Sequence, residues 1–449
     1  MAKEGNLEAP TRHALDWKNP DFYDKDSCLT EMERVFDICH GCRRCVSLCG
    51  SFPTLFDLID ESETMEMDGV KKDDYWKVVD QCYMCDLCYM TKCPYTPPHE
   101  WNLDFPHLML RAKAIQHKEG TPTKIRDQVL SNTSINGKLA SIPVVVQAVN
   151  AGAKNKVARA VGEKVLGVHK DAWLPEFTDA PFEKNYSKST VGKVVNGDRT
   201  PGKVAVYSTC YINWNEPGVG HDLLAVLHHN EIPYVVAEKQ ACCGMPKLEL
   251  GDLDAVEDLM KKNIPQLAKL AREGYAIVTP IPSCTLMFKQ ELPLMFPDNK
   301  DVQAVKAAMW DPFDYFVQRN RDGLLRTDFK EKGLGNVSYH IACHLRVQNV
   351  GQKTREMLEM IPNTNVNTVE RCSGHAGTWG VKKEFHETAM KIGKPVFNRM
   401  KDHPGGVLEW IASDCQLAGH HIEQGMDEQG KDMVKHPLSL LAMAYGVEK

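Results

Sequence analysis

The sequence predicts an α-helical, cysteine-rich N-terminal domain followed by two repeated α/β modules, and three observations carry that expectation. Two cysteine runs stand close together, at Cys39/Cys42/Cys45/Cys49 and at Cys82/Cys85/Cys88/Cys93. Between and before them, apolar residues such as Leu55, Leu58 and Ile59 recur at helical spacing. From Lys203 onward the chain repeats itself: Cys210, Cys242 and Cys284 return as Cys343, Cys372 and Cys415, at offsets of 133, 130 and 131 residues. The expected boundaries are 25–125 for the helical domain, 126–200 for a helical and linker region, and 201–330 and 331–449 for the two modules.

Each N-terminal run reads C-x2-C-x2-C with a fourth cysteine a few residues on, the spacing with which a short loop holds a [4Fe-4S] cube. In two-cluster ferredoxins the fourth cysteine of each run crosses to the other cube. On that pattern Cys39, Cys42, Cys45 and Cys93 hold one cluster, and Cys82, Cys85, Cys88 and Cys49 the other. Structural zinc would need paired C-x2-C motifs instead of trios. The runs depart from the common pattern in detail, since Gly50 replaces a proline after Cys49 and four residues separate Cys88 from Cys93. Helices over Glu31–Ile38 and Asp73–Val79 are expected to lead into the two loops, with ESETMEMDGVKKDD as a polar crossover between them. Cys28 stands apart and reads as a core or surface thiol.

Composition narrows the function classes. The 449 residues leave room for several domains, and 54 basic against 60 acidic side chains give a net charge of −6, which offers no footprint for nucleic acid. No apolar run approaches the ~20 residues of a spanning helix. The polar start, MAKEGNLEAPTRH, has no secretory signal, so the expected location is cytoplasmic, in a reducing compartment, with any membrane contact peripheral on the inner face.

In 126–200, Val157, Val161, Val165 and Val168 share a helical face beside Lys154, Lys156, Arg159 and Lys164. Two readings apply: a basic amphipathic helix on an anionic membrane or partner, or, preferred here because valine inserts poorly, an ordinary helix capping the next domain. The stretch FEKNYSKSTVGKVVNGDRTPGK then reads as a linker.

Each repeat opens on a β-rich segment that ends in a cysteine, VAVYSTC at 204–210 and VSYHIAC at 337–343, and continues through CCG at 242–244 or CSG at 372–374. YAIVTPIPSC at 275–284 and VLEWIASDC at 407–415 close the pattern. Alternating strands and helices predict a parallel sheet in each copy, whose strand ends gather the cysteines on one edge.

The arrangement C…CCG…C, twice, behind a two-cluster helical domain resembles the CCG-domain iron-sulfur oxidoreductases. That family includes the C subunit of anaerobic glycerol-3-phosphate dehydrogenase, the iron-sulfur subunit of glycolate oxidase and subunits of heterodisulfide reductase. CHLRVQNVG at 343–351, CSGHAGTWGVKKE at 372–384 and HPLSLLAMAYG at 436–446 carry the likeness, which runs from about residue 30 to the end. The resemblance implies a third iron-sulfur cluster on Cys210, Cys242, Cys243 and Cys284, although Met287 stands where the family has a further cysteine. In the second module Ser373 and Ala418 replace cysteines, leaving Cys343, Cys372 and Cys415 with His344, His375 and His420 or His421 as candidate substitutes. Whether that module holds metal stays open. His340, His344 and His375 are secondary candidates for tuning a cluster, and Trp379 reads as packing.

The function so implied is electron transfer: a partner flavoprotein dehydrogenase, glycerol-3-phosphate dehydrogenase-like, or another redox protein feeds electrons to the clusters, which pass them toward quinone. No G-x-G-x-x-G follows a strand and no P-loop is present, so substrate oxidation falls to another chain. The alternatives are an enzyme reducing disulfides by itself, in the manner of heterodisulfide reductase, an electron donor to a soluble rubrerythrin-like peroxide-reducing protein, and a non-redox docking scaffold.

Overall fold

The computed structural model describes residues 10–120, 125–189, 192–426, 430 and 432–448. Residues 1–9, most of the segment read above for a signal, and 190–191 within the expected linker lie outside the described residues.

The N-terminal region is helical. Helix α1 (Lys25–Cys42) starts where the Asp24 carboxylate accepts the Ser27 amide, and it buries Cys28, Leu29, Met32, Val35 and Phe36 on one face. It runs past the expected Ile38 through Cys39 and Cys42, because the turn that ends it comes only at Arg43, which takes a left-handed conformation and bonds its N–H back to the Cys39 carbonyl. Helix α2 (Ser51–Asp60) buries Leu55 and Ile59, α3 (Tyr75–Asp80) leads into the second run, and α4 (Leu87–Thr91) carries Cys88. Helix α5 (Phe105–Lys118) is capped by Asp104. Phe36, Phe52 and Phe105 pack with tilted rings where α1, α2 and α5 meet, with Phe52 and Phe105 centroids 4.8 Å apart.

Helices α6 (Ile125–Ser131), α7 (Thr133–Ala140), α8 (Val145–Lys154) and α9 (Lys156–Leu166) follow, each packed on the next. The expectation that the valine-bearing helix packs against the next domain does not hold. Val157, Val161 and Val165 are 73%, 55% and 75% exposed, and Val168 lies beyond the Gly167 cap, bridged to Lys382. After a short helix, Phe182–Asn185, the described part of the expected linker has no regular structure.

Two parallel four-stranded sheets make up the rest. Strands β1 (Val204–Val206), β2 (Tyr234–Val236), β3 (Ala276–Val278) and β4 (Met309–Trp310) run in the order β2-β1-β3-β4. Strands β5 (Gly335–His340), β6 (Thr364–Val369), β7 (Trp410–Ser413) and β8 (Val434–Lys435) repeat that order as β6-β5-β7-β8. In register, Ala205 sits between Val235 and Ile277, and Tyr339 between Thr368 and Ala412. Helices cover the strands; Leu253–Arg272 buries Val256, Met260, Ile264 and Leu267. Strands β1 and β3 are shorter than the sequence suggests, so Cys210 and Cys284 fall on short helices, Thr209–Trp214 and Pro282–Leu286, just past the strand ends. A π-helical stretch, Met287–Glu291, follows directly.

One buried cation joins the parts. Arg12, its side chain 5% exposed, meets Asp86 at 2.6 Å, Asp104 at 2.9 Å and Glu291 at 3.3 Å, while His107 bonds Glu291 at 3.1 Å. Asp86 lies inside the second cysteine run, Asp104 caps α5 and Glu291 ends the π stretch. Arg12→Ala leaves two buried carboxylates, Asp86 and Glu291, and the half-buried Asp104 short of a counter-charge and is expected to cost about 3–5 kcal/mol in chemical denaturation.

Candidate metal centres

The first run folds as the end of α1 and a turn, and the second as a loop whose Met84 and Asp86 take left-handed conformations on either side of Cys85. Such alternation turns backbone amides inward. Amides of Met84, Leu87 and Ser51 bond the sulfurs of Cys82, Cys85 and Cys49, and those of Tyr95 and Thr96 bond Cys93. Cys39 has Cys93, Cys45 and Cys42 as its charged neighbours; Cys88 has Cys85, Cys45, Cys82 and Cys49. The fold thus collects eight thiols into two adjoining groups. Cys39, Cys42, Cys45 and Cys93 line a cavity walled by Ile38, Phe52, Phe56 and Leu103.

Burial, and then neighbouring sulfur charge, pushes three of the thiols up: Cys45 to about 12, and Cys39 and Cys88 well above the usual range. Such a set exists as thiolates only around a positive core, which is the chemistry of a bound metal group. Among the described residues, no three His, Cys, Asp or Glu side chains are arranged to hold a single ion.

In the first module, Cys210, Cys242, Cys243 and Cys284 meet beneath the buried ring of Tyr207. All four are free thiols; Cys242 accepts hydrogen bonds from Cys210 and Cys243, and Cys243 is in hydrogen-bond contact with Cys284. Hydrogen bonding from Cys210 and Cys243 holds Cys242 well below the usual thiol range. Gly244 follows at φ 104°, as a ligand loop that turns sharply onto a helix needs. Sequence reading missed the residues that hold this loop. Asn263, fully buried, accepts the Ala241 amide at 2.9 Å and donates to the Cys242 carbonyl at 3.0 Å, while Ser134 on α7 accepts the Cys242 amide at 2.8 Å.

In the second module, the Cys343 thiol donates a hydrogen bond to Cys372, which also accepts from the Tyr83 hydroxyl at 3.2 Å and the Gly374 amide at 3.3 Å. The Cys343 bond comes first among the causes that bring Cys372 down to about 7. Cys343, Cys372, Cys415, His344 and His375 line a cavity of about 100 Å³ that Cys85 and Glu249 also border. The His375 Nε2 is buried without a partner, and burial lowers that ring to about 4. The other candidate histidines have contacts of their own, although the His421 Nε2 is likewise buried without a hydrogen-bond partner. His340 bridges Ser413 and the Arg371 carbonyl, His421 packs on Phe397, and His420 stacks on Trp173 while bonding Glu216 and Glu423. Trp379 packs between Tyr83 and Phe385, as a structural ring would.

The groups follow one another through the molecule. Cys45 neighbours Cys88, Cys85 neighbours Cys372 and Cys343, and Cys415 neighbours Cys284. His436 ties the last two together: its Nε2 faces both the Pro280 carbonyl at 3.1 Å and the Asp414 carbonyl at 2.9 Å, and its Nδ1 accepts the Leu438 amide.

Two outcomes test this geometry. A Cβ on Gly374 would overlap the Ala389 carbonyl oxygen, whereas one on Gly244 meets ordinary contacts, the flexible Met287 methyl nearest at 3.4 Å and Val256 beyond it. Gly244→Ala should cost about 1–3 kcal/mol of backbone strain and Gly374→Ala clearly more, read from denaturation midpoints. Burial opposes the charge on His420, yet Glu216 and Glu423 outweigh it and raise the ring to about 9. Its folded value lies above the unfolded one, so its stabilisation is complete below about pH 6.5 and fades as pH rises through about 9. The melting-temperature gap between wild type and His420→Ala should narrow across that window.

Comparison with known proteins agrees with the two sheets. The cysteine-rich domain family CCG matches residues 204–289 and 337–418. The chain is 26% identical over 331 residues to the C subunit of the anaerobic glycerol-3-phosphate dehydrogenase of Escherichia coli, covering 72% of this chain and 78% of that protein. It is 30% identical over 274 residues to the B subunit of the fumarate reductase (CoM/CoB) of Methanothermobacter marburgensis, covering 59% of this chain and 51% of that one. An uncharacterized iron-sulfur protein of Methanocaldococcus jannaschii is 26% identical over 226 residues, which is 50% of this chain and 42% of the relative. Strand order, cysteine placement and sequence therefore agree that residues 204–289 and 337–418 are two copies of the CCG cysteine-rich domain, one on each sheet.

Proposed function

We propose that this chain is an iron-sulfur electron-transfer subunit that takes electrons from a partner flavoprotein dehydrogenase and passes them toward a quinone. The observation that carries the reading is the unbroken succession of four sulfur groups from Cys39 to Cys210. In this reading Cys39, Cys42, Cys45 and Cys93 hold one [4Fe-4S] cluster, and Cys49, Cys82, Cys85 and Cys88 a second. Cys210, Cys242, Cys243 and Cys284 hold a third iron-sulfur cluster. Bound clusters supply one-electron chemistry; the protein supplies spacing, burial and amide hydrogen bonds that set each potential. The names of the relatives support the reading, since they include a dehydrogenase subunit, a reductase subunit and an iron-sulfur protein.

Within this scheme Cys343, Cys372 and Cys415 stand between the N-terminal groups and the first module. The Tyr83 hydroxyl and the Gly374 amide stabilise charge on Cys372. A second reading, reduction of a small disulfide by this chain itself, draws on the cavity beside those cysteines and on the unpartnered His375 nitrogen that lines it.

Anaerobically purified protein should contain about eight iron atoms from the N-terminal pair, with further iron in the first module. In EPR after reduction, Cys243→Ala should remove one spectral component and leave the N-terminal signals intact. Colourless protein that resists reconstitution would overturn the proposal. Oxidation of the reduced chain by a quinone analogue but not by a disulfide decides between the two readings.

A further inference from the structure

Helices α6 to α9 leave an apolar surface uncovered. Among the described residues, twelve of the eighteen exposed large apolar side chains fall within residues 125–166, a stretch of 42 residues. Ile135 and Leu139 on α7, Val149 on α8, and Val157, Val161 and Val165 on α9 are among them. On α9 the three valines recur every four residues and so share one face. This concentration is unlike the scattered single exposures that any soluble surface carries.

Charge on the same stretch has one sign. Residues 125–166 hold six basic and two acidic side chains, an excess of four positive charges in a chain of net −6. Every exposed charged residue there is a lysine: Lys138, Lys154, Lys156 and Lys164. Lys154 reaches Glu176 at 2.7 Å, while the two acids, Asp127 and Glu163, are half-buried. The remaining cations turn inward, Arg126 to Glu384 and Arg159 to the carbonyls of His169, Lys170 and Ala172.

We infer that α6 to α9 form a docking face for an anionic lipid bilayer, on which the valine, isoleucine and leucine side chains enter the acyl boundary while the lysines meet lipid phosphates. Interfacial helices of this kind combine buried apolar area with electrostatic attraction. Valine offers little area, so lipid charge contributes much of the attachment, which is reversible and salt-sensitive. A protein partner would be expected to answer the lysines with a defined acidic surface; a bilayer needs only a dense anionic plane.

The opposite side of α7 gives the face a consequence. Ser134 accepts the Cys242 amide, and Gly137 packs on Trp214, so the first-module thiols lie about one helix diameter, 10–12 Å, from the exposed surface. The docking inference deepens the electron-transfer reading by placing its exit side at the lipid, and rests on that reading only for the acceptor.

The test is flotation of the intact, anaerobically purified chain with phosphatidylcholine vesicles, with and without phosphatidylglycerol, at low and high salt. Wild type should float with the anionic vesicles at low salt, and neither neutral lipid nor high salt should retain it. The triple variant Val157→Asp, Val161→Asp, Val165→Asp and the double variant Lys156→Glu, Lys164→Glu should each reduce the bound fraction on the order of tenfold. All these positions are exposed, so circular dichroism and iron content should stay at wild-type values. Absence of wild-type flotation, equal binding to neutral lipid, or variants that float like wild type would overturn the inference. So would a homodimer or protein complex that the valine variant dissociates in the absence of lipid binding. Iron content is scored separately: iron-free protein that floats removes the redox proposal and leaves the docking face standing, and iron-replete protein that stays down does the reverse.

Discussion

A single guanidinium, that of Arg12, fixes the position of the cysteine-rich helical region against the first sheet. Three carboxylates from distant parts of the chain converge on it, and each has a structural duty of its own. Asp86 shapes the loop between Cys85 and Cys88, Asp104 starts α5, and Glu291 closes the helix that begins near Cys284. A buried ion cluster of this type adds little net stability compared with apolar packing, but it tolerates very few arrangements. The surrounding loops are thereby held in one relative placement, and sulfur groups that belong to different folds come to face one another.

The sheets supply the other half of that placement. In each, the first strand lies between the second and the third, all parallel, so the three cysteine loops that follow them leave the same edge. Because both sheets use the same order, the loops after β3 and β7 meet across the junction, where His436 bonds a carbonyl from each. Burial lowers that ring to about 4, so it is neutral at physiological pH and its two nitrogens keep fixed donor and acceptor roles.

Much of this was legible in the sequence because it is written locally or periodically. Cysteine offsets near 130 residues betray the repeat, β-branched runs mark the strands, and glycine after Cys243 and after Ser373 marks turns that the structure builds with positive φ. Contacts between distant residues carry no such signature. Nothing around Arg12, Asn263, Tyr83 or His436 announces a partner 21 to 289 residues away, since each pairing arises only when separate elements pack. The misreading of α9 has a related origin. Periodicity shows that Val157, Val161 and Val165 share a face, but not whether another element covers it.

The π-helical stretch from Met287 to Glu291 follows immediately on the helix that bears Cys284 and ends on a residue of the Arg12 cluster. A π turn contains one more residue than an α turn and so offsets the angular phase of everything after it. Two demands that an ordinary helix would set out of step, a thiol aimed at its neighbours and a carboxylate aimed at a buried cation, are reconciled by that surplus residue. Shortening the segment by one would rotate Glu291 by about 100° relative to Cys284, leaving the chain able to satisfy one demand or the other.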